Sequence, residues 1–324
     1  MRPGFHEVVH SAFDIERLAG PLCAVGGWTR TDLPDAPPEQ WPAWQVPADC
    51  TRIEQCLLHA PGDERGPLRI VVFHGVQQRL MRSSQHLWDS GGHFDVDIYS
   101  SDADATYAAL QRHGWTAFHD SADYGFGELQ VREVIVIGPD GFVIGLIERR
   151  APPLDWPEGL GAMTRQFNSS QVVRDYATAA AFYRDILGWS PLFEVAATGE
   201  DEPSQILGLA MPHCAGVERR VGIWHPEGTN DGSVELIQCA GIRARDFSAS
   251  AVAPNIGILA LRFAVDDARA LAARITQRGW PLYAPPIELE IAPYGPTVLF
   301  SVRTPDGAIL EFYQEIGRQI PGSG

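Results

Sequence analysis

Two short stretches carry residues spaced for metal chemistry. "HEVVH", His6 to His10, matches the pattern in which one helix face holds two histidines for zinc, with the glutamate between them as general base. That chemistry needs a helix. Val8 and Val9 favour a strand instead, and no third ligand follows downstream. The stretch is expected to be a strand with both histidines on its outer face. "GGHFDVDIY" gathers His93, Asp95 and Asp97, which on a strand share one face. It reads as a metal site or as a solvated or substrate-facing acidic strip. The remaining histidines, among them His74, His86, His213 and His225, are scattered.

The five cysteines, Cys23, Cys50, Cys56, Cys214 and Cys239, are odd in number and form no CxxC. Buried, reduced thiols in a cytoplasmic protein are the expectation. All 25 basic residues are arginine. The absence of lysine excludes Schiff-base, pyridoxal-phosphate and P-loop chemistry. No GxGxxG opens a helix after a strand, and there is no GxSxG elbow.

The 324 residues are 45% hydrophobic and 20% charged, an ordinary globular composition with room for two domains. A net charge of −16 repels phosphate backbones and anionic membranes, so neither nucleic acid nor membrane is an expected partner. The start, "MRPGFHEVVH", has no apolar run of signal-peptide length, and no segment approaches the roughly 18 apolar residues of a membrane span.

The elements that must position these residues recur. A short strand, an Asp, a helical stretch and a closing Gly-Trp appear four times: Asp14 to Trp28, Asp102 to Trp115, Asp175 to Trp189 and Asp267 to Trp280. The first and third copies lie 161 residues apart, the second and fourth 165. Each Asp can cap the free N–H groups of a first helical turn. In the third copy Ala179, Phe182, Tyr183, Ile186 and Leu187 form one apolar helix face. Gly114, Gly188 and Gly279 suit the left-handed stop of a helix. The second and fourth copies close with two strands about "GPDG" (Gly138 to Gly141) and "TPDG" (Thr304 to Gly307). The unit is β-α-β-β-β, and the fold class is α+β. The Pro- and Gly-rich stretch 151–162 divides the chain into expected domains 1–150 and 163–318. The Pro/Trp-rich stretch 34–47 reads as a loop inserted in the first copy.

Paired units with Asp-capped "AFYRDILGW" helices and "PDG" last turns resemble the vicinal-oxygen-chelate superfamily, which includes glyoxalase I, bleomycin-resistance proteins and extradiol dioxygenases. The resemblance implies two open, cup-shaped mixed sheets, with metal ligands on the first and last strand of each unit. Its first-strand position, seven residues before the capping Asp, falls on Glu7, Asp95, Asn168 and Ala260; its last-strand position falls on Arg69, Gly145, Glu235 in "SVELIQ" and Glu311 in "ILEFYQ". With pairing inside each half, one cup holds Glu7, Arg69, Asp95 and Gly145, with Arg69 in a structural ion pair. The other holds Asn168, Glu235, Ala260 and Glu311, and strand alternation adds Ser170, Arg262 and Tyr313.

No slot carries histidine, whereas an iron dioxygenase needs two. A change of one residue in register would restore His6 and His93 and with them a dioxygenase. The resemblance therefore implies a lyase or isomerase that moves protons on a small oxygen-rich or aromatic metabolite, without an imidazole-bound metal. Glu235 and Glu311 are the expected catalytic pair; Asn168, Ser170, Arg262 and Tyr313 are the expected substrate-binding set. A weakly held Mg or Mn on Asn168, Glu235 and Glu311 is the candidate cofactor. In a second reading Arg262 is salt-bridged to Glu235 or Glu311 as a relic of the metal site. The alternative function is a metal-free binding protein that sequesters an aromatic ligand, helped by Trp41 and Trp44. A monomer or homodimer is expected.

Overall fold

The computed structural model describes residues 4–63, 65–84, 86–156, 159–198, 208 and 216–316. His213 and Cys214 lie outside them. The first unit contains β1 (Glu7–Ser11), α1 (Ile15–Gly26), β2 (Thr29–Asp32), β3 (Arg52–His59) and β4 (Leu68–His74). The second contains β5 (Val96–Ser100), α2 (Ala103–Gln111), β6 (Thr116–Ala117), β7 (Ala122–Phe126), β8 (Leu129–Ile137) and β9 (Val143–Ala151). The third contains β10 (Met163–Val172), α3 (Tyr176–Ala181, prolonged by a π-helical turn Phe182–Leu187), β11 (Ser190–Thr198), β12 (Glu218–His225) and β13 (Ser233–Ala240). The fourth contains β14 (Gly257–Ala264), α4 (Ala268–Gln277), β15 (Leu282–Ile291), β16 (Gly295–Arg303) and β17 (Ile309–Glu315).

The helix of each of the four units begins as its Asp requires. Asp14, Asp102, Asp175 and Asp267 accept from the backbone N–H of Glu16, Ala105, Thr178 and Ala270 at 2.7–2.9 Å. Such a cap contributes roughly 1 kcal/mol. Gly188 closes the third helix at φ 79°, where a side chain would be strained.

The pairing of units departs from the expectation. One sheet has the order β15-β16-β17-β14-β1-β4-β3-β2, and so joins the first unit to the fourth; the other, β11-β12-β13-β10-β5-β9-β8-β6, joins the second to the third. Each sheet thus draws on both sides of the 151–162 segment, and a cup confined to 1–150 or to 163–318 does not form. The reason lies at the first strands. β1 runs antiparallel to β14 and β5 antiparallel to β10, so hydrogen bonds join the halves at the centre of both sheets.

One large core fills the helix-bearing faces of both sheets, with Leu18, Trp28, Trp115, Tyr183, Trp189 and Phe263 among its buried members. The opposite face of each sheet curves around its own smaller clusters. The inserted segment 34–47 is not an open loop. Its 3-10 helix, Pro38–Trp44, packs on the first sheet's inner face with Ala43 and Trp44 buried.

"HEVVH" is a strand as expected, but its histidines are not on an outer face. His10 is fully buried against Phe142, ring centroids 4.8 Å apart, and burial lowers it to about 3. His6 hydrogen-bonds Tyr313 through Nδ1 at 3.0 Å.

Candidate functional site

In the first sheet, pairing sets Glu7 opposite Arg262, Arg262 beside Glu311, and Val9 beside Arg69. The four charged side chains close on one another. Arg69 donates Nε to Glu7 Oε1 at 2.7 Å and Nη2 to Glu7 Oε2 at 3.0 Å, with Gln55 accepting from Nη1 at 2.6 Å. Arg262 donates Nη1 to Glu7 at 2.5 Å and Nε to Glu311 at 2.8 Å. Tyr294 donates to Glu7 at 2.5 Å, and Trp44 donates to Glu311 at 2.6 Å. None of the four is exposed. Burial alone would raise the Glu7 carboxyl, but Arg262 and Arg69 outweigh it and hold it at about 2. Two anions and two cations neutralise each other with their hydrogen bonds directed inward. This cup is an ion-pair lattice without a free carboxylate oxygen to offer a substrate.

The second sheet fills corresponding positions otherwise. Asn168 lies opposite Asp97, Asp97 beside Gly145, and Ser170 beside Glu235. Asp95, Asp97 and Glu133 are buried, and Glu235 is partly buried. Gly145 has to be glycine: a Cβ there would collide with Asp97 Oδ1 and stand 3.2 Å from Glu133 Oε1. Ser170 donates Oγ to Glu235 at 2.9 Å and its backbone N–H to Asp95 at 3.0 Å, while Tyr124 donates to Glu133. Among the described residues no arginine hydrogen-bonds any of the four acids. Burial raises all of them, and mutual repulsion adds to it: Glu133 to about 7, Glu235 to about 8 with Asp95 as the next cause, and Asp97 well above the ordinary carboxylate range. Burial likewise raises Asp95, partly offset by Ser170 and by Arg82. Arg82 itself donates to the carbonyls of Gly91, His86 and Asp89.

A cavity of about 550 Å³ opens at Tyr99 on β5, and none of the four acids lines it. Its wall includes Tyr99 and Phe167, stacked at 4.0 Å, together with Trp156, Arg165, Asn230 and Asp231. Tyr99 is two residues along β5 from Asp97, on the same strand face and about 6.6 Å away. Asn230 accepts from Asn168 Nδ2 at 3.1 Å. Arg165 is held by Asp63 and Asp231.

The expected residues therefore separate. Asn168, Ser170 and Glu235 come together in the second sheet; Glu311, Arg262 and Tyr313 stand in the first. The Mg or Mn set of Asn168, Glu235 and Glu311 is not assembled. Among the described residues no three His, Cys, Asp or Glu side chains gather closely enough to hold an ion. Arg262 meets Glu311 and Glu7, not Glu235. Arg69 pairs with Glu7 alone, because Asp95 lies in the other sheet. Bulges in β1 and β10 shift the register, so Asp97 and Arg262, five residues before their caps, face the central partners instead of Asp95 and Ala260. The His93, Asp95 and Asp97 strip is buried rather than solvated, and His93 points away to the carbonyl of Ile309 at 3.0 Å. Trp44 is sealed against Glu311, and the partly exposed Trp41 donates its indole N–H to the carbonyl of Ala36. Sequence reasoning missed Glu133 and Tyr124. The only signal was the alternation of "VREVIVI", which puts Glu133 on the face of Ile135.

Residues 166–312 match the model of the Glyoxalase/Bleomycin resistance protein/Dioxygenase superfamily. Residues 166–312 therefore belong to that superfamily, and the rest of the chain repeats the same βαβββ unit. No curated protein matches the sequence. Among solved structures, glyoxalase I from Zea mays is similar at 15% identity, with 97% of this chain and 92% of that chain covered and a TM-score of 0.65. A dioxygenase from Bacillus subtilis, itself assigned only by inference, is similar at 10% identity over 97% and 85%, with a TM-score of 0.56. At these identities the likeness concerns the fold alone.

Proposed function

We propose that the protein is a lyase or isomerase that moves protons on a small molecule in the second sheet's acid cup. The observation that carries this reading is Glu235: partly buried, among three other acids, and hydrogen-bonded by no arginine among the described residues. Ser170 engages one carboxylate oxygen and leaves the other for a substrate. A carboxyl raised to about 8 is suited to general acid–base work near neutral pH. Asp97 and Glu133 stand behind it as groups able to share the proton. Glu311 has no catalytic part, because Arg262 and Trp44 occupy both of its oxygens. Among the described residues the acids do not converge to hold a metal ion as they stand. Among the described residues no helix is long and apolar enough to cross a membrane; a cytoplasmic enzyme is the setting proposed.

The test is hydrogen exchange. Enolisable small molecules are incubated with the protein in D2O and followed by NMR. Glu235→Gln is expected to slow exchange about 10²- to 10⁴-fold, while Ser170→Ala has a smaller effect. Exchange that survives Glu235→Gln would overturn the reading. The apolar Tyr99 and Phe167 wall favours a second reading, sequestration of an aromatic ligand, which predicts tight binding without exchange.

A further inference from the structure

The two sheets place different charges on the same positions. By pairing register, Glu7, Arg69, Arg262 and Glu311 of the first correspond to Asn168, Glu235, Asp97 and Gly145 of the second. Both arginine positions have become acids. The first cup contains its own guanidinium groups, held on carboxylates by charge-assisted hydrogen bonds. The second has the carboxylates, with Glu133 and Asp95 added, and among the described residues no arginine hydrogen-bonds them, although Arg82 acts on Asp95 from a distance.

A second, independent feature points to a missing donor. Asn168 is buried, and its Oδ1, which can only accept, has no partner. It sits directly across from Asp97. A buried acceptor left unmet is destabilising, and a bound N–H group would satisfy it. The cavity that opens at Tyr99 offers the stacked rings of Tyr99 and Phe167, whose π-electrons favour a cation; Arg165 in its wall is already paired, and Arg149 also acts on Tyr99. A net charge of −16 draws cations to the whole molecule.

We propose that the acid cup binds a small organic cation, an ammonium- or amidinium-bearing molecule with an aromatic ring. The charged group meets Asp97, Glu235 and Asn168 where the first cup has Arg262, Arg69 and Glu7, and the ring lies toward Tyr99 and Phe167. This rests on the reading of the acid cup as the working site. It adds the substrate class: the cation enters carboxyls that hold protons near neutral pH, so binding must expel protons.

The experiment is calorimetric titration of the full chain with benzamidine, benzylamine, benzyl alcohol and benzoate, each in two buffers of different ionisation enthalpy. The cations are expected to bind about 10- to 100-fold more tightly than benzyl alcohol, with release of protons. Asp97→Asn and Glu235→Gln are each expected to remove most of that preference. Removing a like charge from a buried acid cluster should not impair folding, and proton release in the unmodified protein is a readout independent of the variants. The proposal is overturned if benzyl alcohol or benzoate binds as tightly as the amines, if binding releases no protons, or if Mn or Mg alone saturates these acids and displaces the amines. A neutral compound whose hydrogen exchange depends on Glu235 would sink the cation assignment and leave proton transfer standing. An amine bound through Asp97 and Glu235 with no exchange in any such ligand would do the reverse.

Discussion

Trp44 donates its indole N–H to Glu311 at 2.6 Å across 267 residues of sequence. The contact ties the segment inserted in the first unit to the last strand of the fourth and closes the first cup. Trp44→Phe keeps most of the packing and leaves a buried carboxylate oxygen without its donor. It should destabilise the protein by about 1.5–3 kcal/mol in urea unfolding, with amine binding in the other cup unchanged. A loss of that binding would contradict the separation of the two cups.

Arg262 bridges Glu7 and Glu311 with no solvent access. Arg262→Leu takes a cation from two buried anions, leaving Glu7 to Arg69 and Glu311 with only the Trp44 N–H, and should cost about 3–5 kcal/mol. Adding Glu311→Leu removes one of those anions and should recover a large part of the loss. Equilibrium unfolding of the two single variants and the double variant gives the coupling. Additive losses would mean that the pair does not act as a unit.

Stability should depend on pH in two windows of opposite sign. Glu7 is lowered from 4.5 to about 2, so its contribution is complete above 4.5 and is lost as pH falls through about 2. Glu133 and Glu235 are raised, to about 7 and about 8. The folded state then holds their protons more tightly than the unfolded chain, and stability is lost as pH rises from 4.5 through about 8. The melting temperature should fall across that upper window, and Glu235→Gln should flatten the fall. A melting temperature constant across it would refute the raised values.

Gly145 is the floor on which Asp97 and Glu133 rest. Gly145→Ala should displace the Asp97 carboxyl and cost about 1–3 kcal/mol. Asp97→Gly in the same chain should restore the space. Thermal unfolding of the single and double variants tests this, and an additive result would show that the crowding is elsewhere.

Much of the fold is legible in the sequence, because the signals are local. A capping Asp, an apolar helical stripe and Gly-Trp at the end specify each helix within 15 residues. The same logic finds Asn168, Ser170 and Glu235, which share adjacent strands of one unit. Which unit pairs with which is another matter. The alternation of β1 is satisfied by any partner with an apolar face, and the Pro-rich stretch 151–162 resembles a boundary whether or not the sheets respect it. The acid cup depends on the same unseen pairing. Asp97 faces Glu235 and Glu133 only because β5 meets β10 through bulges that no single-strand pattern discloses.

The order of the two sheets gives assembly a sequence in time. The second and third units are neighbours in the chain and in space, and their sheet can close as soon as β13 leaves the ribosome. The first unit is made earliest and completed last, because β1 has no central partner until β14 emerges. At about 5–20 residues per second, that delay lasts roughly 12–50 seconds. Through it, the newborn strand that bears Glu7 stays open at the edge that will later meet Arg262, like the outer bracket of a nested pair waiting for its match.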